Sequence, residues 1–242
     1  MYGGFGTGKT HALLWAQNLI LHTAKDDFNS VCYYIPTLKK VQKFNFNDTF
    51  MYDLLPKSNM LEDVKNYRNW LNTQTIKFRD DKNIPGEVDI KTVIKDMFGN
   101  STELHNLAIQ IYEAETEINI KKLLTPKNDY EAMVLFCGLV NLFTYKFEYS
   151  DSEARYKKGV YLFIDEFDDI SSGSPAMQRQ VNELIRHIYD SCSKHLAVIC
   201  SLSAEVSELS FYFEEFNLSR ISRYFELQLL ETDESVNFIK DI

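Results

Sequence analysis

Apolar and polar positions along this chain follow two rhythms. Short β-prone runs are separated by longer stretches with helical spacing. Val31 to Ile35 (Val-Cys-Tyr-Tyr-Ile) is the first such run, closed by Pro36. Gly159 precedes a second, Val160 to Ile164; His195 to Cys200 is a third and Tyr224 to Leu230 a fourth. Helical spacing covers Thr10 to Ala24, Ala204 to Phe216, and Pro175 to Cys192, where Val181, Leu184, Ile185 and Ile188 share one face. Residues 40 to 158 are mostly helical in pattern. Their clearest segments are Met60 to Leu71, Ser101 to Glu117 and Asp129 to Phe147, and Ser101 with Glu103 predicts a capped start for the second. Asn83-Ile84-Pro85-Gly86 and Thr125-Pro126 are breaks. Strands interleaved with helices predict an α/β fold, a mainly parallel sheet sandwiched by helices. Ligands of such sheets bind at the carboxyl ends of the strands.

Composition narrows the class. The chain has 242 residues, 45% hydrophobic and 25% charged, enough for one large globular core. Its longest apolar run, Met133 to Val140, ends before Asn141. A bilayer span takes about 20 apolar residues, so this run predicts a buried helix and no membrane association. Residues 1 to 10 are glycine-rich and polar, unlike a signal peptide. The net charge of -9 gives no support to a DNA partner. Cys32, Cys137, Cys192 and Cys200 form no Cys-x-x-Cys pair and have no His at metal-ligand spacing. They read as free thiols of a cytoplasmic protein.

Two segments carry the candidate chemistry. Gly3-Gly4-Phe5-Gly6-Thr7-Gly8-Lys9-Thr10 fits G-x-x-x-x-G-K-[ST]. Glycines let the backbone turn with positive φ and approach phosphates closely. The amides from Gly4 onward then form an anion nest, and the helix that follows points its positive end at it. Lys9 is expected on the β- and γ-phosphates and the Thr10 hydroxyl on Mg²⁺. The second segment, Val160 to Ile164 followed by Asp165 and Glu166, is a hydrophobic strand ending in two acids. Asp165 is expected in the Mg²⁺ shell, usually through water, and Glu166 at the attacking water. Asp168 and Asp169 read as solvated. No guanine-specific Asn-Lys-x-Asp motif occurs, which favours ATP over GTP.

With these residues in place, the sequence resembles the AAA+ superfamily and its STAND relatives, nearest to the origin-recognition and archaeal-ATPase branch. Four pieces carry the likeness in order: Tyr2 to His11, Leu162 to Glu166, Ala197 to Ser203, and Arg220 to Leu227. The tail Leu229 to Ser235 is similar to the family's junction with its helical lid. The first two pieces are specific to P-loop ATPases; the last two gain value from order and spacing. The resemblance covers about half the residues. It implies a P-loop ATPase fold, with His11 joining Gly3 to Thr10 at the nucleotide. It implies that Ser201 or Ser203 is a sensor of the γ-phosphate or attacking water; the plain alternative is a buried strand ending in Ser. It also implies that Arg220 or Arg223 is an arginine finger that acts on a neighbouring subunit's nucleotide, in a homo-oligomer or larger assembly. The plain alternative there is surface arginine.

The departures are equally specific. Lys9 and Asp165 lie far apart, so residues from about 40 to 158 must contain a helical insertion, whose pairs Lys121-Lys122 and Lys157-Lys158 read as solvated. The strand that should precede the loop and the lid that should follow the core are expected to lie outside the chain. The first functional reading is an ATPase that couples nucleotide state to conformational change in a larger protein or assembly. The alternatives are a nucleic-acid helicase or translocase and a non-hydrolysing nucleotide switch. Turnover with and without nucleic acid separates them.

Overall fold

A computed structural model describes residues 1 to 228 except 24, 41, 42 and 193; at 26, 39, 40 and 43 only the backbone is described. Three strands, β1 (Ser30–Ile35), β2 (Gly159–Ile164) and β3 (Leu196–Cys200), form a parallel sheet in the order β1-β2-β3. Ile35 pairs with Ile164 and Ile164 with Cys200, so the three strands finish side by side. Strand alternation divides the sheet into two faces. Val31, Tyr33, Ile35, Val160, Leu162 and Ile164 enter the main core, whereas Cys32 and Phe163 enter a smaller cluster with Leu13 and Ile20.

Helices cover both faces. Helix α1 (Lys9–Asn18) places Leu13 on the smaller cluster and runs into a π-helical turn, Leu19–Thr23. Between β1 and β2 lie α2 (Met60–Asp81), α3 (Ile90–Phe98), α4 (Thr102–Glu113), α5 (Glu117–Leu123) and α6 (Asp129–Thr144). The apolar run sits in α6, where it is buried on one face only: Phe136, Cys137, Leu139 and Val140 are buried and Val134 is exposed. Its Phe136 meets Tyr33 and Phe46 edge-on, with ring centroids 6.3 and 6.2 Å apart. Helix α7 (Pro175–Cys192) buries Val181, Leu184, Ile185 and Ile188 in the main core. Among the described residues, no helix is long and apolar enough to cross a membrane.

Several boundaries differ from the sequence pattern, each for a local reason. Helix α2 continues past Leu71 to Asp81, because buried Gln74, Thr75 and Phe78 keep its inward spacing. Helix α4 stops at Glu113; Thr116 then caps α5 by accepting the Asn119 N–H at 3.2 Å, and Ser101 makes no side-chain cap. Helix α6 stops at Thr144, and Phe147 enters a two-stranded antiparallel ribbon, Lys146–Glu148 with Glu153–Arg155. There its ring stacks on Trp70 at 5.6 Å. The expected helix 204–216 is broken into short turns. Buried Asn182 of α7 donates to the Tyr212 carbonyl (2.9 Å) and accepts the Glu214 N–H (2.9 Å), taking groups a continuous helix would use itself.

The fourth strand is reduced to one parallel bridge, Tyr2 with Glu226, and residues 229 and 230 lie outside the described residues, as does the tail from Leu229 to Ser235. Tyr2 bridges Leu202 as well, so Met1 and Tyr2 are a two-residue rung between the end of β3 and the 224–228 segment.

The helical region grips the sheet through β1. The Tyr33 hydroxyl donates to Asp63 of α2 at 3.0 Å. Lys157 is not the solvated charge its sequence context suggested: it stands 4.9 Å over the Tyr156 ring, and burial pushes its pKa down. Lys121 pairs with Glu117 at 2.6 Å on the surface, while Lys158 donates to the Asp27 carbonyl at 3.0 Å. Burial pushes the Asp63 carboxyl up to about 6, with Tyr33 and Lys157 pulling the other way. Because the folded value is raised above the unfolded one, the contribution of Asp63 to stability is complete below the ordinary carboxylate value and lost as pH rises through about 6. Asp63→Asn should therefore gain on the wild type in denaturant melts as pH rises from about 4 to about 8. A difference that stays constant across that range would refute this account of Asp63.

Candidate functional site

The glycine-rich loop joins the Tyr2 rung to α1. Gly6 and Gly8 adopt φ of 78° and 80°, the left-handed region that side chains with a Cβ resist. Gly3 is required for a different reason: a Cβ there would stand 2.2 Å from the Leu227 carbonyl oxygen. Thr7 closes the loop by donating to Gly4 O at 3.0 Å. Lys9 curls its ammonium back into the loop, donating to Gly4 O at 2.8 Å and Gly3 O at 3.0 Å. The N-terminal turn of α1 carries no acidic residue, so its positive end is not neutralised there.

Lys9, Thr10, Asp165, Glu166, Ser201 and Ser203 line one cleft of ≈620 Å³ at the carboxyl ends of β2 and β3. Phe5, Gly6, Gly8 and His11 complete its loop side, while Gly3, Gly4 and Thr7 face a separate hollow. Two distant parts of the chain thus meet because α1 packs over β2.

Asp165 is 3% exposed. Its Oδ1 accepts the Ser201 hydroxyl and, at 3.0 Å, the Glu166 N–H; its Oδ2 accepts the Tyr34 hydroxyl at 2.7 Å. Thr10 lines the same cleft. Burial by itself pushes the carboxyl upward; the bonds from Ser201, Tyr34 and the Glu166 amide, with the Thr10 hydroxyl nearby, outweigh it, leaving the pKa below the ordinary value. Asp165 is therefore ionised although buried.

Glu166 turns the other way. Its backbone is left-handed (φ 48°, ψ 42°), which costs a non-glycine residue roughly 1–2 kcal/mol. Ser201 holds the turn: its Oγ accepts the Glu166 N–H at 3.3 Å and its carbonyl accepts the Phe167 N–H at 2.9 Å. Phe167 is buried and stacks on Phe213 at 4.5 Å. The Glu166 side chain is consequently exposed in the cleft. Partial burial, then the charges of Asp169, Asp165 and Asp168, push its pKa up. Asp168 and Asp169 are not simply solvated. Asp168 accepts the Ser203 N–H at 2.9 Å and Asp169 the Thr37 hydroxyl at 3.0 Å, so both tie the turn to neighbouring strands.

Not every candidate reaches the cleft. Arg220 forms a two-pronged pair with Asp190 of α7 (2.9 and 3.3 Å), and both it and Arg223 line a different cavity of ≈410 Å³ beside β3. Ser201 is 1% exposed with its hydroxyl committed to Asp165, leaving Ser203 the more accessible serine. Tyr34 is the residue the sequence motifs missed. Only the parallel register of β1 and β2 brings its hydroxyl beside Asp165. Comparison with protein-family models and with curated proteins gives no match for this chain.

The loop's anchorage is testable in the ligand-free protein. Gly3→Ala forces a methyl into the Leu227 carbonyl and should destabilise by about 1–3 kcal/mol. Gly6→Ala meets open space and should cost only the left-handed penalty, about 1 kcal/mol. Equal losses for the two variants in urea melts would refute the Gly3–Leu227 contact.

Proposed function

We propose that this chain is an AAA+-type P-loop ATPase that binds ATP with Mg²⁺ in the Lys9–Asp165 cleft and hydrolyses it. The observation that carries the reading is the single cleft that Lys9, Thr10, Asp165 and Glu166 line together. It joins a G-x-x-x-x-G-K-[ST] loop to a buried strand-end acid across most of the chain.

Each residue has a role. Lys9 would exchange the carbonyls of Gly3 and Gly4 for β- and γ-phosphate oxygens. Amides of the loop and of the first turn of α1 supply further donors. The residues fit Mg²⁺: a hydroxyl and an ionised carboxylate are hard oxygen donors, and Mg²⁺ takes the rest of its shell from water and phosphate. Bound there, it offsets phosphate charge. Glu166, exposed and with a raised pKa, accepts a proton from the attacking water. The water oxygen bonds to the γ-phosphorus as its bond to the β–γ bridging oxygen breaks, giving ADP and phosphate.

Arg220 and Arg223 lie outside the cleft, so a transition-state arginine would come from another subunit of a homo-oligomer or larger assembly. The same placement favours one second reading, a nucleotide switch that binds ATP without turnover.

Lys9→Ala should abolish ATP binding in an equilibrium titration; unchanged affinity would sink the reading. Glu166→Gln should keep Mg·ATP binding while hydrolysis falls roughly 10²–10⁴-fold, as for loss of a general base. Asp165→Asn should instead weaken the Mg²⁺-dependent part of binding. A wild type that binds ATP and never turns it over, with or without nucleic acid, establishes the switch.

A further inference from the structure

A carboxylate offers about four acceptor positions. At Asp165 three protein groups meet them: the Ser201 hydroxyl, the Glu166 amide and the Tyr34 hydroxyl, which leaves one position open toward the cleft. Two of these groups come from the ends of β2 and β3. Tyr34 is the donor among them supplied by β1, and among the described residues it links the carboxylate to the strand that the region between β1 and β2 packs on.

That connection continues through the backbone. In β1 the Tyr34 N–H and C=O point away from β2, toward the open side of the sheet. One side chain takes both: the Tyr34 N–H donates to Ser58 Oγ at 3.0 Å, and the Ser58 hydroxyl donates to Tyr34 O at 3.1 Å. Ser58 is buried and lies two residues before α2. Tyr33, one residue earlier, points to the other face and binds Asp63 of α2. The helical region therefore grips β1 at two successive residues, and only one of the two side chains, Tyr34, reaches Asp165.

We propose that Tyr34 is a positioning residue for the Asp165 carboxylate and that Ser58 makes its position depend on the helical region, so that this region tunes metal-dependent nucleotide binding. The proposal rests on the nucleotide reading of the cleft. Partners one step removed from a metal site typically change metal affinity 10–100-fold when removed.

The test titrates a fluorescent, non-hydrolysable ATP analogue onto the full chain, in EDTA and across a Mg²⁺ series. Tyr34→Phe should bind the analogue like wild type in EDTA and need about 10–100-fold more Mg²⁺ for its metal-dependent binding. Ser58→Ala should shift the same way by less. Tyr33→Phe, which loosens the same strand from the opposite face, should keep the wild-type requirement even if its melting temperature falls. A wild-type Mg²⁺ requirement in Tyr34→Phe overturns the proposal, as does an equal loss with and without metal. An unchanged requirement in Ser58→Ala overturns the dependence on the helical region.

A nucleotide-free measurement keeps failure of the two readings distinct. The Tyr34 hydroxyl proton, assigned by NMR against Tyr34→Phe, should exchange slowly, and faster in Ser58→Ala. If wild type binds no analogue, the nucleotide reading falls. The positioning claim then stands or falls on whether that proton is protected and responds to Ser58.

Discussion

A buried negative charge organises this molecule. Removing a carboxylate from water costs several kcal/mol unless its acceptor sites are filled. Asp165 is met by groups from three segments: Tyr34 of β1, Ser201 after β3, and the backbone of Glu166. Those segments can meet the charge only if the three strands end level. The hydrogen-bond set and the fold are thus two descriptions of one constraint.

The same constraint shapes the turn that follows. Asp165 faces inward, so the chain must reverse at once to leave the sheet, and Glu166 takes a left-handed conformation to do so. Ser201 contributes at both points, through its hydroxyl to Asp165 and through its carbonyl to the Phe167 amide. Strain at Glu166 is balanced by these bonds and by the stacking of Phe167 on Phe213. The result is one acid held inside and ionised, and its neighbour held outside with a raised pKa. Adjacent residues of the same chemistry thereby acquire different capacities.

The helical region adds a second set of ties to β1. Phe136 of α6 backs Tyr33 with a ring contact, Asp63 of α2 takes its hydroxyl, and Ser58 saturates the sheet edge at Tyr34. An edge strand with open N–H and C=O groups invites foreign pairing. Here the helical region covers that edge at Tyr34, and it does so one strand away from the cleft.

Much of this was legible in the residues alone. Three strands were readable within a residue because apolar runs bounded by Pro36 and Gly159 leave little freedom, and α7 because its inward positions recur at helical spacing. The loop and the pair Asp165-Glu166 were readable because their residue types and spacing are rare. Helix ends were less legible. Asn182 broke the 204–216 helix from a distant element, and Phe147 left α6 to stack on Trp70. The roles of Tyr34, Asp168 and Asp169, and the removal of Arg220 to Asp190, left no mark in the local pattern at all. Local sequence determined which segments are strands, helices and glycine turns, because propensity and periodicity act over a few residues. Only the tertiary structure decided which hydroxyls meet Asp165, because strand order and register are set by packing between segments far apart in the chain.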